Sequence, residues 1–324
     1  MHGFTAHLGS GRPPGRAHDR ALFGVLAPLV GDPEVTDVFV NPDGGVWVDR
    51  GRGSELAQMR IPAAEARDVA TRLIAGGDRH VDETTPCVDV RLGDGIRVHA
   101  VLPPVSPGGA VLSIRIPRAA ALSLDDLDRA GFLGAVGADR VRELVASRTN
   151  LLLTGAGGSG KTTLLAALLS AAAPSDRIVV LEDVAELRID HPHVVALEAR
   201  QANLDGAGAI GVDRLVREAL RMRPDRLVVG ECRGPELREL LAALNTGHDG
   251  GAGTLHANSL ADVPARLEAL GALAGMTPDA VARQAVSAIG CVLHIERVAG
   301  SRRVAGLGRL LLDDRGSLAI REEG

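Results

Sequence analysis

Two hydrophobic rhythms run along this chain. Up to about residue 119 they alternate irregularly. A helical period extends from about Arg20 to Val30, and strand-like alternation follows in Thr36 to Val40 and Val46 to Val48, on either side of the turn Asn41-Pro42-Asp43-Gly44-Gly45. Pro62 then opens a helix whose apolar positions Ala66, Val69, Ala70, Leu73 and Ile74 recur at helical spacing until Gly76-Gly77 closes it. Val88 to Leu92 and Ile96 to Ala100 alternate again. Their apolar residues share one face only if the loop between them is the three residues Gly93-Asp94-Gly95. That register sets Arg91 directly opposite Arg97, and a third alternating strand, Val111 to Ile116, sends Arg115 to the same polar side. Like charges facing each other across a ladder are destabilising unless solvent or an anion stands between them. Three arginines on one sheet face therefore read as a phosphate clamp, the plainer reading being a solvated surface.

From Asn150 onward the rhythm is regular: short, continuous apolar runs alternate with helical patterns, as in a parallel sheet covered by helices on both faces. The strands predicted are Leu151 to Thr154, Ile178 to Leu181, Val194 to Leu197, Leu227 to Val229 and Gly253 to His256. Helices are expected after Lys161, at Val212 to Arg221, Pro235 to Asn245, Ala261 to Leu270, and Pro278 to Ile289, the last capped by Thr277. Val292 to Arg297 and Arg303 to Leu312 form a closing hairpin around Ala299-Gly300-Ser301. Between the two regions, Pro117 to Leu122 reads as a linker, and Ser123-Leu124-Asp125-Asp126 as a capping box opening a brief helix. The expected organisation is a mobile arm over residues 1–19, with Gly9 to Arg16 rich in Gly, Pro and Arg, a small mixed α/β domain over 20–119, a linker over 120–134 and a larger α/β domain over 135–324.

Composition narrows the function classes. With 324 residues, 45 % of them hydrophobic, the chain can build two cores. A formal net charge of −5 and an aromatic content of 2 % without tyrosine offer neither a global positive field nor stacking platforms, which disfavours nucleic acid as a partner. Cys87, Cys232 and Cys291 are odd in number and widely spaced, unlike a disulfide framework or a zinc site. No apolar run is long enough to span a bilayer, and Met1 to Arg20 lacks a signal-peptide core. The expected location is the cytoplasm, with any membrane association made through partners.

The chemistry centres on Gly155-Ala156-Gly157-Gly158-Ser159-Gly160-Lys161-Thr162, which fits G-x-x-x-x-G-K-[ST] between a buried strand and a helix. Glycines let consecutive backbone N–H groups turn inward onto a phosphate chain, and the helix beginning at Lys161 and running through Thr163 adds its positive end. Lys161 would reach the β and γ phosphates and Thr162 would ligate Mg²⁺. Lys161 is also the only lysine in a chain that otherwise uses arginine for every basic position.

Open parallel sheets bind ligands at the carboxyl ends of their strands. There the sequence places Glu182 and Glu186 after the second strand, Glu231 after the fourth, and His256 at the end of the fifth, with His248 earlier in the same glycine-studded segment. Glu231 is the candidate base that orients an attacking water. An aspartate commonly precedes such a glutamate, but here Gly230 does, so Glu182 is the expected substitute for the missing Mg²⁺ contact. His248 and His256 are candidate γ-phosphate sensors.

These blocks in this order resemble the type II/IV secretion ATPases, and among them the tight-adherence (Flp) pilus branch. The words that carry the resemblance are the phosphate loop, the acidic box Leu181 to Leu187, the segment Leu220 to Gly234, the histidine box Thr246 to Asn258, and upstream Val88 to Pro104 and Ser113-Ile114-Arg115. The resemblance implies a PAS-like N-terminal domain closing over ATP and Mg²⁺ held by a RecA-like domain. It implies a homo-hexameric ring at the inner face of the membrane, working on a platform protein of a pilus or secretion machine. It also implies that Arg97 and Arg115 reach the phosphates, and that Gly230 is usual. Cys232 stands where an aliphatic residue is common, the four-cysteine zinc module of other members is absent from these 324 residues, and a member without their long N-terminal extension is expected. The alternatives are a nucleotide-stabilised assembly scaffold and a DNA-translocating motor.

Overall fold

The computed structural model describes residues 20–116, 122–200, 208–298 and 301–323. The expected arm, most of the linker Pro117 to Leu122, and Ala299-Gly300 of the closing hairpin lie outside them. The chain divides into two compact units, residues 1–119 and 120–324.

The first unit opens with a 3-10 turn, Arg20–Leu26, followed by α1 (Ala27–Val30). The single helix expected here is broken at Gly24, whose φ of +53° belongs to the left-handed region that favours glycine. β1 (Asp37–Val40), β2 (Gly45–Asp49), β3 (Ser54–Arg60), α2 (Ala63–Gly76), β4 (Cys87–Arg91), β5 (Arg97–Val101) and β6 (Val111–Arg115) follow. The six strands form one antiparallel sheet in the order β3-β2-β1-β6-β5-β4. α2 begins after Pro62 and buries Ala66, Val69, Ala70, Leu73 and Ile74 in the same core as Val38, Val98 and Leu112. Each of the larger of these side chains contributes about 1.5–3 kcal/mol on burial. β3 has no counterpart in the sequence reading.

The second unit begins with α3 (Leu124–Arg129), where Ser123 and Asp126 form a reciprocal capping box, and α4 (Gly137–Ala146). Leu124, Leu127, Phe132 and Leu133 are buried with Leu153 and Leu164, so the stretch expected to link the domains is built into this unit's core. β7 (Leu151–Gly155), α5 (Lys161–Ser170), β8 (Ile178–Glu182), β9 (Val194–Glu198), α6 (Val212–Ala219), β10 (Arg226–Cys232), α7 (Glu236–Leu244), β11 (Ala252–His256), α8 (Val263–Leu273), α9 (Pro278–Ala288), β12 (Cys291–Val298), β13 (Ser301–Leu312) and β14 (Leu318–Glu323) complete it. The sheet order is β14-β13-β12-β7-β11-β10-β8-β9, parallel from β12 to β9 and antiparallel at β13 and β14. Two apolar clusters, one containing Leu152 and Val179 and the other Leu153 and Val180, line its opposite faces. This is the α/β architecture expected, with a mainly parallel sheet. Among the described residues no helix is long and apolar enough to cross a membrane.

Candidate functional site

β7 is buried along its whole length and delivers the chain at Gly155 into a loop that ends where α5 starts. The loop needs its glycines. A Cβ at Gly155 would stand 2.2 Å from the Ile295 carbonyl oxygen, and Gly160 turns with φ +106° against the ring of Phe132. Ser159 is almost fully buried, and its hydroxyl has no hydrogen-bond partner among the described residues. A buried orphan donor inside a glycine loop fits an anionic oxygen.

Lys161 is only 6 % exposed, and its Nζ donates to the carbonyl oxygens of Gly155 and Ala156, both at 2.9 Å. Burial lowers its pKa, against the opposing pull of Glu231. The same ammonium lies 3.5 Å from His256 Nδ1. β11 runs parallel to β7 with His256 beside Gly155, so the strand register itself brings the histidine to the loop.

Glu231 completes the group. Its Oε1 is 2.7 Å from His256 Nε2, without the alignment of a hydrogen bond, and its Oε2 accepts from Arg233 Nη2 at 2.6 Å. Burial raises the Glu231 pKa, but the Arg233 hydrogen bond and the surrounding cations outweigh it and hold the carboxyl below its usual range. Burial and the Lys161 charge lower the pKa of His256, opposed by Glu231. A neutral imidazole thus stands between a buried ammonium and an ionised carboxylate.

Glu182 is also buried, at the end of β8 beside β10. Its Oε1 accepts from the N–H groups of Glu186 (2.8 Å) and Leu187 (3.1 Å), and Oε2 lies 3.3 Å from the latter. The side chain therefore fixes the backbone of the acidic box. A Cβ at position 230 would come within 2.6 Å of its Cγ, which explains the glycine before Glu231. Glu186 itself is exposed, on the turn that Glu182 holds.

His248 does not join this group. It precedes β11, whose amino end pairs with Leu151, and its Nδ1 contacts the Ala243 carbonyl oxygen at 3.2 Å. The length of a strand separates it from His256, at about 3.3 Å per residue. His256, not His248, is thus the histidine that stands beside the glycine loop. In the first unit, Arg91 pairs with Arg97 and Arg97 with Arg115, in the register read from the sequence, and Asp37 extends the row beyond Arg115.

Comparison with known proteins bears on what this arrangement serves. The family described as type II/IV secretion system protein matches residues 20–296. The chain belongs to that family. A conjugal transfer protein of Mycobacterium tuberculosis strain H37Rv, so named only provisionally, is 48 % identical over 295 residues, covering 89 % of this chain and 84 % of that protein. The conjugal transfer protein TrbB of Rhizobium radiobacter is 33 % identical over 285 residues, covering 86 % of this chain and 84 % of the relative. The crystal structure of the pilus retraction motor PilT with bound ADP shares the fold, with a TM-score of 0.60 at 21 % identity over 92 % of this chain and 81 % of that one.

In this secretion-family chain the structure adds residues that the sequence reading left aside. Arg233 is one, although its spacing two positions after Glu231 on a strand end was a signal. His294 on β12 is another: it is buried, contacts Thr154 Oγ1 through Nδ1 at 2.9 Å and hydrogen bonds the Asn258 backbone, with burial lowering its pKa. A cleft of about 530 Å³ opens beside Gly157 and His256, lined further by Asn258, Asp262 and Arg266. Cys232 is buried, and its thiol pKa is pushed far up by desolvation, so it serves as a small apolar side chain of the core.

Proposed function

We propose that this chain is the ATP-hydrolysing subunit of a conjugation or secretion machine. It would act as a ring of six copies on the inner face of the membrane through a platform protein, with pilus assembly as one form of that work. The observation that carries the reading is the contiguous group Lys161, His256, Glu231 and Arg233 at the carboxyl ends of β7, β11 and β10, beside the glycine loop. Phosphoryl transfer to water needs cations at the phosphates and a group that orients the water. Lys161 supplies the first once its ammonium leaves the Gly155 and Ala156 carbonyl oxygens for the β and γ phosphates. Glu231, ionised at neutral pH, takes the second role, and His256 links the two.

The donor set also suits Mg²⁺, which favours oxygen ligands and retains several waters. Thr162 would hold the ion together with the nucleotide's own oxygens, and Glu182, whose oxygens already accept backbone N–H groups, would act through water. When bound, the ion neutralises charge on the β and γ phosphates. Arg91, Arg97 and Arg115, on one sheet face of the first unit, would bind phosphate oxygens. The relatives' conjugal-transfer names favour that branch of the family over a pilus motor.

The test is phosphate release by the purified chain with Mg²⁺-ATP, repeated with Lys161→Ala. Multiple turnover abolished by the substitution supports the reading. A purely stoichiometric ATP requirement would leave a scaffold instead, and stimulation by duplex or single-stranded DNA at low salt would indicate a DNA motor.

A further inference from the structure

Arg233 is built differently from the arginine paired at the start of β10. Arg226, at the start of β10, pairs with Asp176 at 2.7 Å, and both side chains are below 10 % exposure. Its remaining donors reach the Val145 carbonyl oxygen at 3.0 Å and that of Gly250 at 3.4 Å. Such a buried, hydrogen-bonded pair is a permanent joint, costly to open. Arg233, at the other end of the same strand, holds Glu231 with a guanidinium that is 65 % exposed. A solvent-exposed pair is screened and its partners exchange readily.

The backbone beneath Arg233 is nonetheless fixed. Glu236 is buried, and its Oε1 accepts from the N–H of Arg233 and from that of Gly234, the latter at 2.7 Å. Thr254 Oγ1 donates to the Gly230 carbonyl oxygen at 2.7 Å and anchors the strand just upstream. The pivot is rigid while the arm lies in solvent. A second set of acceptors lies on the neighbouring strand end: Asp183 and Glu186 follow β8, which pairs with β10, on the turn that Glu182 holds.

We propose that Arg233 is a positioning residue that latches the Glu231 carboxylate in an idle orientation. On catalysis its guanidinium moves from Glu231 to the Asp183 and Glu186 side of the acidic box, which frees Glu231 Oε2 to accept from water. The exchange gives the guanidinium one carboxylate partner for another, and Glu231 gives up its ion pair to accept from water. This inference rests on the hydrolase reading above.

Arg233→Ala tests it, with Arg233→Lys as the conservative variant, in the full-length chain with Mg²⁺-ATP. Release of the latch raises kcat without partner proteins by about two- to fivefold, the population change that loss of an exposed ion pair permits. ADP affinity, read with a fluorescent ADP, stays unchanged, and Arg233→Lys falls between wild type and Arg233→Ala. The acid limb of the kcat profile provides a readout that a structural role would not move. The charged and titratable groups facing Glu231 are Lys161 from α5, His256 from β11 and Arg233, one residue beyond its own strand. Removing Arg233 takes away a cation, so the limb shifts to higher pH. A kcat as low as that of Glu231→Gln would overturn the proposal by placing Arg233 in the transition state. Unchanged kcat and pH profile, in a wild type that does turn over, would overturn the latch alone. A wild type without turnover would overturn the hydrolase reading, and the latch with it.

Discussion

The Cβ that Gly230 lacks would stand 2.6 Å from Cγ of Glu182 and 3.1 Å from its Oε1. Two adjacent strands have thus divided one space: β10 gives up its side chain there and β8 fills it with a carboxylate. Gly230→Asp, which restores the more common acidic residue, forces Glu182 off the Glu186 and Leu187 N–H groups and sets two carboxylates against each other. Overpacking of this kind costs about 1–3 kcal/mol. Urea denaturation should show that loss, and phosphate release should fall with it. A Gly230→Asp chain as stable and active as wild type would show that Glu182 has no fixed place.

Lys161→Arg separates charge from shape. The ammonium is buried and donates to two carbonyl oxygens of its own loop, a compact geometry that a planar guanidinium does not reproduce. ADP affinity, measured by calorimetry, should fall at least about tenfold although the charge is kept. Affinity equal to wild type would mean that charge alone suffices.

Much of this was legible in the sequence, because the informative elements obey one rhythm each. The stripe Ala66, Val69, Ala70, Leu73 and Ile74 has helical period and is buried as read. The facing of Arg91 and Arg97 followed from a period of two and a three-residue loop. β3 escaped because its residues Ser54 to Arg60 are nearly all exposed on a sheet edge, so no alternation marks them. His248 and His256 are close in sequence, but His248 lies before the amino end of β11 and His256 at its carboxyl end, a distance that adjacency in a glycine-rich segment hides. The two-residue spacing of Glu231 and Arg233 is a signal only once β10 is known to run on to Cys232, past a register irregularity after Val229 that the sequence does not mark.

Arg115 is flanked by Arg97 on one side and Asp37 on the other, so its net contribution to the sheet is small. Arg115→Ala should leave the melting temperature within about 4 °C of wild type. If the arginine row closes on phosphates, the same substitution lowers turnover by about tenfold or more in the assembled protein. Unchanged turnover would identify the row as a solvated face.

Acid should weaken the second unit before its carboxylates titrate. His256 and His294 both have folded pKa values below the ordinary 6.5, each mainly through burial. Protonation therefore favours the unfolded chain. The stability these groups contribute is fully present above 6.5 and is lost as pH falls through their lowered folded values. Glu231, held below its ordinary 4.5, contributes stability that disappears only at still lower pH. Unfolding free energies between pH 7.5 and 5 should decline for wild type and decline less for His294→Asn. Identical slopes would remove His294 from the account.

The most direct test of the central claim is Glu231→Gln, read by ATP binding and phosphate release on the same preparation. The substitution keeps the shape of the side chain and removes the charge that faces His256 and Arg233. The account predicts ATP affinity within a few fold of wild type and phosphate release reduced by about a hundredfold or more. Phosphate release at the wild-type rate would contradict it.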